Sequence, residues 1–585
     1  MKRIIFKYTM VLFVVGAFTA CQDNEFLNET NPNEISKDNF WRNLNETGAG
    51  LNAVYKTLHS PYILNVIEEM QRSDMGYPGY GRPVPQATEP FYNHTYTEST
   101  NRIGEKWLTN YQGVFRANQV IEGLEGIEDV TTDRAEWYSQ MAQARFLRGL
   151  FHFYLYTTYN NGSIIIRDKV AVTNDDFAKP VSSPSEVIAF IREDLEYAYS
   201  HLYKKGEYPS GDLSRVTAGA AATILGTSYL YDLDYATAMI YFDDVINNQG
   251  YQLVYDQDKL FTTAGEFNNE SIFEISFTED FIQIDLNRWN GDSGTNWLNQ
   301  QTTSTRGASG PAWITYAYKT EQMDPLDSRN YYMDPIKGET QRSVPLRASA
   351  MMAMVEDTQT DYYLVSTSDY TRFNGRNWGF GWWKKYSNHD IVAAENELPN
   401  GSATLSSKNV TVNRLADVIL MQAECKIKTG NVQGGLDLIN QVRKRWGLVL
   451  YGTSGADASS TYDDVSYTAN TAMHQLMYVD KPLETGAEGH CIRWLDFQRW
   501  KKSENYGFAD RLQELSNMSF YGVDYSYTNA EGQPRTNFNN PSLSLQPSGE
   551  DQVIVDYEYD KPAANYSEST NGYYPIPVAE RNTNN

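Results

Sequence analysis

Residues 414–447 read RLADVILMQAECKIKTGNVQGGLDLINQVRKRWG, and this stretch decides the fold. Apolar side chains recur at helical spacing on either side of a short break, which predicts two helices, Leu415–Lys428 and Val432–Trp446. The break at residues 429–431 has room only for a tight turn, and Gly447 ends the second helix. The stretch therefore predicts a pair of antiparallel helices packed side by side.

The same form occurs earlier in the chain. There the predicted helices are Arg215–Tyr231 and Tyr235–Asn247, separated by residues 232–234 and ended by Gly250. Residues 218–222 are all Ala or Gly, so the first of these helices can approach its neighbours closely.

Two longer helices precede that pair. Residues 133–158 carry the clearest helical pattern of the chain, with apolar side chains three and four residues apart. In the next helix Ser183 can cap the first turn, Pro184 suits its start and Glu186 completes a capping box. The predicted buried side of the helix at residues 133–158 consists of Leu147, Leu150, Phe151, Tyr154, Leu155 and Thr158.

Successive helix pairs with short turns predict a mainly α fold with a tetratricopeptide-like helix-pair scaffold and minor β hairpins. A strict repeat is not visible, so an irregular α-helical domain is the alternative. The predicted scaffold covers roughly residues 35–250 and 410–520, on either side of a central stretch rich in aromatic residues, Gly, Asn, Ser and Thr. We expect residues 21–585 to form a single domain.

The N-terminal residues have the pattern of a secretory signal. Three basic residues precede an apolar run from Val11 to Phe18, and the run ends just before a cysteine. Cys21 follows small residues, as in bacterial lipoproteins, where lipid is attached to the cysteine at the cleavage site. We expect residues 1–20 to be removed and Cys21 to be lipidated. An ordinary cleaved signal, in which Cys21 is incidental, is the alternative.

The charge of the chain limits its partners. The sequence has 49 basic and 74 acidic residues, a formal net charge of −25. A surface of this charge repels phosphate groups, so nucleic acid and anionic membrane surfaces are not expected as partners, and a neutral or cationic ligand is easier to accommodate. After the signal no apolar run is long enough to span a membrane.

Catalytic and metal-binding patterns are missing from the sequence. The 7 histidines are scattered without a zinc-ligand spacing, and two isolated buried thiols are favoured over a disulfide for Cys425 and Cys491. Residues 291–294 imitate the nucleophile loop of a serine protease, but the all-β fold of that class is not predicted here. Adjacent His490 and Cys491 are not expected to face each other as a nucleophile pair.

Several motifs follow one another along the chain. They are Trp107 with YQGVFRAN at 111–118, ARFLRGL at 144–150, SRVTAGAA at 214–221, ESIFEI at 270–275, DPLDSR at 324–329, RLADVILMQAE at 414–424, INQVRKR at 439–445, EGHCIRWLDFQRW at 488–500 and YYPIP at 573–577. In this combination and order, the chain resembles the SusD/RagB family of Bacteroidetes outer-membrane lipoproteins along nearly its whole length.

The resemblance implies a cell-surface lipoprotein of the outer membrane that binds a glycan. Such proteins lie as a lid over a TonB-dependent, SusC-like transporter and deliver ligand to it without cleaving it. No catalytic residue and no cofactor is therefore expected, although the oxygen-rich loop at residues 232–234 leaves a structural calcium ion open. The lipid on Cys21 is the expected membrane attachment.

The charged residues of the family motifs are expected to form a structural network, because buried charges require partners. Residues 478–484, YVDKPLE, depart from the usual family pattern, and His490-Cys491 stands where Arg is commoner. These departures put the local packing in doubt. The network is predicted to contain Arg414, Asp417, Glu424, Arg443, Arg493 and Asp496.

Aromatic side chains outside the predicted helices are the candidate contacts for a sugar. The chain has 43 Tyr and 12 Trp, whose rings can stack on sugar C–H faces while amide, carboxylate and guanidinium groups bind the hydroxyls. We expect the binding loops at roughly residues 74–96 and 280–390, and Trp382, Trp383 and Tyr386 in the core. The candidate ligand-binding residues are Asp74, Tyr77, Tyr80, Arg82, Trp289, Trp297, Asn299, Trp313, Arg372 and Trp378.

Three alternatives to glycan binding stay open. A RagB-like protein of the same architecture takes up peptides, an enzyme would turn over a polysaccharide, and a purely structural surface protein would bind no small ligand. The aromatic, Asn-rich loops favour sugars, since a peptide site more often uses backbone pairing and apolar pockets.

Overall fold

The computed structural model describes residues 40–78, 89–281, 294–302, 307–370, 379–395, 405–453, 457–547 and 558–583, with residues 397, 549 and 555. Helices dominate this part of the chain, which confirms the predicted mainly α fold. Each described helix is too short or too polar to cross a membrane.

Eight helices build the scaffold, and each packs against the next in chain order. This serial packing is typical of helix-pair solenoids, in which each unit buries its apolar face on its neighbours. The helices are α1 Leu44–Thr57, α2 Asn101–Gly126, α3 Arg134–Thr158, α4 Pro184–His201, α5 Ala218–Tyr231, α6 Tyr235–Asn248, α7 Leu415–Lys428 and α8 Val432–Arg445.

Local sequence signals correctly predicted most of these helix ends. Asp133 caps α3, and the predicted capping box of α4 forms, with Ser183 accepting from the Glu186 backbone N–H. The turn between α7 and α8 closes as predicted, because Gly430 takes a φ of 92° and Asn431 caps α8. Helix α5 begins at Ala218, three residues later than predicted, because Thr217 is its N-cap.

Shorter helices fill the spaces between the scaffold helices and the central segment. They are Pro61–Leu64, Val66–Arg72, Asn174–Phe177, Leu298–Thr302, Ala312–Lys319, Leu346–Met351, Ala469–Gln475, Lys481–Thr485, Ile492–Ser503, Phe508–Ser516, Asp560–Asn565, Glu568–Asn571 and Val578–Thr583.

The described strands are short and pair two by two, all antiparallel. The pairs are β1–β3, β2–β10, β4–β5, β6–β9, β7–β8 and β11–β12. The strands are β1 Tyr77–Pro78, β2 Ser271–Ile275, β3 Ala308–Ser309, β4 Tyr331–Asp334, β5 Gly338–Gln341, β6 Met352–Met354, β7 Asp361–Tyr362, β8 Val365–Ser366, β9 Gly381–Trp383, β10 Val410–Arg414, β11 Tyr521–Thr528 and β12 Pro534–Ser544.

The pair β2–β10 joins the two helical blocks. Strand β2 follows α6 in the first block, and β10 runs directly into α7 of the second. One hydrophobic core extends through both blocks, and a smaller one lies beneath the central segment. Trp382, Trp383 and Tyr386 are buried, as the sequence predicted.

The C-terminal segment returns to the first helices. The backbone N–H of Tyr574 donates to the Thr158 carbonyl over 2.8 Å. The buried guanidinium of Arg72 lies 4.2 Å from the centre of the Tyr574 ring and 4.1 Å from that of Trp494. This cation–π clamp connects the beginning, the second helical block and the end of the chain.

A buried ionic network links elements that are far apart in sequence. Arg414 at the end of β10 contacts Glu488 at 2.7 Å, Glu270 at 2.7 Å and Glu484 at 2.6 Å, and Arg445 of α8 contacts Glu270 at 2.6 Å. The residues of this network, which we call the central charge network, are Glu270, Arg347, Lys385, Arg414, Arg443, Arg445, Asp480, Glu484 and Glu488.

The predicted network residues are buried and ion-paired, but in several clusters rather than one. Arg414 and Arg443 belong to the central charge network, whereas Arg493 pairs with Asp74. The other three pairs are Asp417 with Lys481, and Glu424 and Asp496 with Arg499.

The segment that departs from the family pattern is well packed. Residues 476–480 make a π-helical turn, which places Asp480 against Arg443 and Arg347. Glu484 follows on the next short helix and also accepts a hydrogen bond from the Trp446 indole at 2.7 Å. The unusual residues therefore supply acidic groups to the central charge network.

Replacing Glu484 with Gln should strongly destabilise the fold. Burial alone raises the pKa of this carboxyl, but Arg445, Arg414 and Arg347 outweigh it and hold the pKa well below its usual value. The amide would leave these guanidinium groups short of negative charge, at an expected cost of about 3–5 kcal/mol in unfolding free energy. Denaturant titration at neutral pH measures this, with exposed Glu531→Gln as the matched control. Equal stability of the two variants would contradict the prediction.

Candidate functional site

The described ends of three segments in the predicted binding loops lie close together. Strand β1 pairs with β3, so Pro78 lies opposite Ala308. The backbone N–H of Gly310 then donates to the Gly381 carbonyl over 3.0 Å, and Gly381 begins β9. The described ends of the segments 79–88, 303–306 and 371–378 therefore meet in the fold. Among the candidate residues, Tyr80, Arg82, Trp289, Arg372 and Trp378, like the lipidation residue Cys21, lie outside the described residues.

Asp74 anchors the first of these loops from beneath. Its carboxylate accepts from Arg493 at 2.8 and 2.9 Å and from Arg511 at 2.9 Å, and it is fully buried. Burial alone would raise its pKa, but the two guanidinium groups outweigh burial and lower the pKa below its usual value. In this conformation Asp74 positions the loop and has no surface for a ligand.

Tyr77 and Trp313 are also buried in this structure. Tyr77 is 1% exposed and packs edge-on to Tyr92, and Trp313 is 5% exposed. The Trp313 indole donates to the Asp74 carbonyl at 2.7 Å, and the Arg511 guanidinium lies 4.2 Å above its ring. These rings offer no free face on which a sugar could stack, because the folded chain already covers both faces. Their proximity to the loop ends supports a positioning role.

Asn299 connects separate segments within the second predicted loop region. Its amide oxygen accepts from the Tyr363 hydroxyl at 2.8 Å and from the Asn388 backbone at 2.7 Å, and its amide nitrogen donates to the Glu395 carbonyl. A side chain with these buried partners joins three segments of the central region. It is not presented to a ligand in this conformation.

Trp297 is the described candidate that keeps part of its surface exposed. It lies immediately before the short helix Leu298–Thr302, and the flanking Asn296 bonds to Ser406. Its indole Nε1 is buried and has no hydrogen-bond acceptor among the described residues. The partly exposed ring of Trp297, and not its buried Nε1, is therefore the part that a ligand can contact in this conformation.

A polar cavity of about 480 Å³ lies in the same central region. Its wall includes His389, whose carbonyl accepts from the Tyr363 backbone and so connects the cavity to Asn299. Sequence analysis did not identify the cavity, since its residues come from four separate segments without a common motif. The polar lining residues are Gln257, Thr262, Arg342, Ser349, Gln359, Thr360, Asp361, Lys384, His389 and Asp390.

The cavity combines buried cations with neutral hydrogen-bonding groups. Burial lowers the pKa of both Arg342 and Lys384. The Lys384 ammonium bonds to the Thr360 hydroxyl and the Asp361 carbonyl, each at 3.1 Å. Burial raises the pKa of Asp390, but Lys408 and His389 outweigh it and lower it to about 2. Amide, hydroxyl, carboxylate and guanidinium groups thus converge on one space, as sugar hydroxyls require.

The structure offers no support for a catalytic cysteine or a metal site among its described residues. The Sγ of Cys491 lies 3.6 Å from His490 Nε2, so the two side chains face each other, contrary to expectation. Burial raises the pKa of the thiol and lowers that of the imidazole, which keeps both neutral. Cys425 and Cys491 are free, buried thiols, as predicted, and no described cluster of His, Cys, Asp and Glu could hold a metal ion.

The carboxylates of the loop at residues 232–234, considered above as calcium ligands, have partners in the scaffold. Asp232 forms an ion pair with Arg192 at 2.7 Å, and Asp234 caps α6 through the Thr237 backbone N–H. Both carboxylates are thus engaged in the scaffold.

Replacing Asp74 with Asn should loosen the anchor of the first loop. The variant leaves Arg493 and Arg511 without their buried counter-charge, at an expected cost of about 3–5 kcal/mol in unfolding free energy at pH 7. Because the folded-state pKa of Asp74 is depressed, its stabilisation is complete above the unfolded value of about 4 and is lost as the pH falls below it. Denaturant titrations at several pH values measure both effects, with exposed Asp129→Asn as control. A difference that does not shrink in acid would contradict this account.

Two family models match the chain. The model described as the SusD family matches residues 239–585, more than half of the chain, and a model described as starch-binding, associating with the outer membrane, matches residues 25–230. A SusD-like protein of Formosa agariphila is 20% identical over 516 residues, covering 84% of this chain and 89% of the relative. A SusD-like protein of Bacteroides ovatus is 26% identical over 198 residues, 32% of this chain and 35% of the relative.

Solved structures have the same fold. A SusD superfamily protein of Bacteroides vulgatus superposes with a TM-score of 0.65 at 19% identity, covering 93% of this chain and 98% of its own. A SusD-like protein of Bacteroides fragilis gives a TM-score of 0.65 at 18% identity, covering 94% and 98%. Helical scaffold, sequence motifs and family models agree, and the chain belongs to the SusD family.

Proposed function

We propose that this protein captures a glycan at the cell surface and delivers it to a TonB-dependent, SusC-like transporter in the outer membrane. Members of the SusD family are binding proteins and not catalysts, so the chain is not an enzyme. One structural neighbour is a laminarin-binding SusD-like protein, and another was solved with a xylogluco-oligosaccharide. Their ligands support a glycan as the class of ligand here.

The observation that carries the proposal is the convergence of the loop ends in the central region, which also contains a polar cavity. Trp297 supplies a partly exposed ring, and the cavity supplies amide, hydroxyl and charged groups. Together they meet the two needs of sugar recognition, a stacking surface and dense hydrogen bonding. The candidates that lie outside the described residues, including Trp289 and Arg372, stay part of the proposed site.

Removing proposed stacking residues should weaken glycan binding. We expect Trp297→Ala and Trp289→Ala each to cost about 1–3 kcal/mol, roughly 5- to 150-fold in Kd, because a stacking surface is lost. The measurement is affinity electrophoresis and calorimetry of the protein from residue 22 onward against plant, host and microbial polysaccharides. Tyr138→Ala, an exposed aromatic residue of α3, is the control and should bind like the parent protein.

The outcomes of this panel separate the candidate functions. Unchanged affinity in the Trp297→Ala, Trp289→Ala double variant would remove both residues from the site. Binding without release of reducing ends agrees with the non-catalytic function. Failure of every glycan to bind would favour a RagB-like function, and a peptide library would then be the next ligand set.

Membrane attachment is testable through Cys21. Replacing Cys21 with Ser should remove the lipid and move the protein from the membrane fraction to the soluble fraction, because each buried lipid methylene contributes about 0.8 kcal/mol to anchoring. Cell fractionation with immunoblotting measures this, and Cys425→Ser is the control, since Cys425 is a buried core thiol. Retention of the Cys21→Ser protein in the membrane would contradict lipid anchoring. If no transporter co-purifies with the detergent-extracted parent protein, the proposed SusC-like partner would be contradicted.

A further inference from the structure

A second cavity lies on the helical scaffold, and no candidate residue from the loops lines it. It is a groove of about 700 Å³ along α1 and α2, closed on one side by the segment that contains Arg167 and Phe177. Its lining residues lie on helices and loops, and none belongs to a described strand. We call it the scaffold groove.

In the part of the chain that the structure describes, two arginines of the scaffold groove have no acidic partner. Arg116 donates to the Thr57 hydroxyl at 2.8 Å and to the Ala53 carbonyl at 3.3 Å. Arg167 donates to the backbone carbonyls of Asp176 and Phe177. These neutral acceptors orient the guanidinium groups and leave their charge uncompensated.

Unpaired arginines are exceptional in this protein. Within the described residues, every arginine except Arg116, Arg167 and Arg535 lies within 4.0 Å of a carboxylate. Two of these three line one groove, in a chain whose net charge is −25. The overall acidity favoured neutral or cationic ligands, but this groove is locally suited to an anion.

The groove has a polarity along α2. Glu105 lies near one end and Arg116 near the other, about 16 Å apart at 1.5 Å per helical residue. Glu580 joins the acidic end, where its carboxylate accepts from the Trp107 indole at 3.1 Å. Lys169 lies with the arginines but is paired with Asp176 at 2.7 Å. A ligand must therefore carry its negative charge at one end and neutral polar groups towards the other.

Large apolar side chains complete the groove. Leu108, Phe115 and Phe177 are 63%, 45% and 59% exposed, and all three line it. Exposed apolar surface beside fixed charges is typical of a binding site. The aromatic rings suit the C–H faces of a sugar, and the guanidinium forks suit a carboxylate. Strand addition of a peptide is disfavoured, because no described strand edge borders the groove.

We propose that the scaffold groove is a second glycan-binding site, selective for an oligosaccharide that carries a carboxylate, as uronic acids do. The inference rests on the proposed function, because it takes the ligand class from it. Arg116 and Arg167 bind the carboxylate, Phe115 and Phe177 cover the sugar ring, and Glu105 accepts from hydroxyl groups at the other end.

Calorimetry with a size-defined oligogalacturonide tests this proposal, with its fully methyl-esterified form as the neutral counterpart. We expect the acid form to bind at least tenfold more tightly than the ester, and its affinity to fall as salt rises. The Arg116→Gln, Arg167→Gln double variant should lose at least tenfold in affinity for the acid form. Arg535→Gln, the third unpaired arginine, is the matched control and should bind like the parent protein.

A second set of variants separates loss of binding from misfolding. Phe115→Ala removes an exposed ring and should also weaken the acid form, while Arg116→Lys keeps the charge and should retain part of the affinity. Thermal unfolding of every variant verifies that it is folded.

The two proposed sites fail in different ways. Trp297→Ala should weaken the glycan found in the panel and leave the oligogalacturonide bound, whereas the double arginine variant should do the reverse. If the acid form does not bind, or binds the double variant and the parent protein equally, the scaffold groove is not a uronate site and the loop site is unaffected. If an acidic peptide displaces the oligogalacturonide and binds more tightly, the ligand class proposed here is wrong.

Discussion

Everything in this fold depends on the need of buried charges for partners. Burying a lone guanidinium or carboxylate costs several kcal/mol, so each must be matched by an opposite charge in the same place. In the central charge network, Arg414, Arg445 and Glu484 meet this need only when β10, α8 and the helix after residue 480 have the correct register. Apolar contacts are non-directional, whereas each of these ion pairs joins particular atoms at hydrogen-bonding distance. The network therefore links the second helical block to Glu270, which lies between the two blocks in sequence.

The helical scaffold could be predicted from sequence because its signals are local. The Ser183 capping box, the turn at Gly430 and the apolar spacing of α3 each act within a few residues, and each was found where expected. The family motifs added the overall fold and the structural role of their charged residues. The charged motif residues were correctly assigned to structure, but their partners were not, because pairing across hundreds of residues leaves no local pattern.

The binding region was less predictable for the opposite reason. Aromatic residues in Gly- and Pro-rich loops look exposed in sequence, yet Tyr77 and Trp313 are buried. Tyr77 packs on Tyr92, and Trp313 packs under Arg511 and bonds to the Asp74 backbone. Local composition reports which residues could recognise a sugar, and tertiary packing decides which of them have a free face. The polar cavity and the scaffold groove are both products of tertiary packing, since each is lined by short segments brought together from distant parts of the chain.

The cation–π clamp around Arg72 affects the order in which the chain can complete its packing. Arg72 belongs to the beginning of the chain, but one of the two rings that cover its charge belongs to Tyr574, close to the last residue. Tyr574 also bonds to Thr158 at the end of α3, so the first helices complete their packing only with the final segment. The early helices therefore stay incompletely packed until residue 574 has been synthesised. A ribosome that stopped shortly before residue 574 would thus release a molecule defective at its beginning, not only at its end.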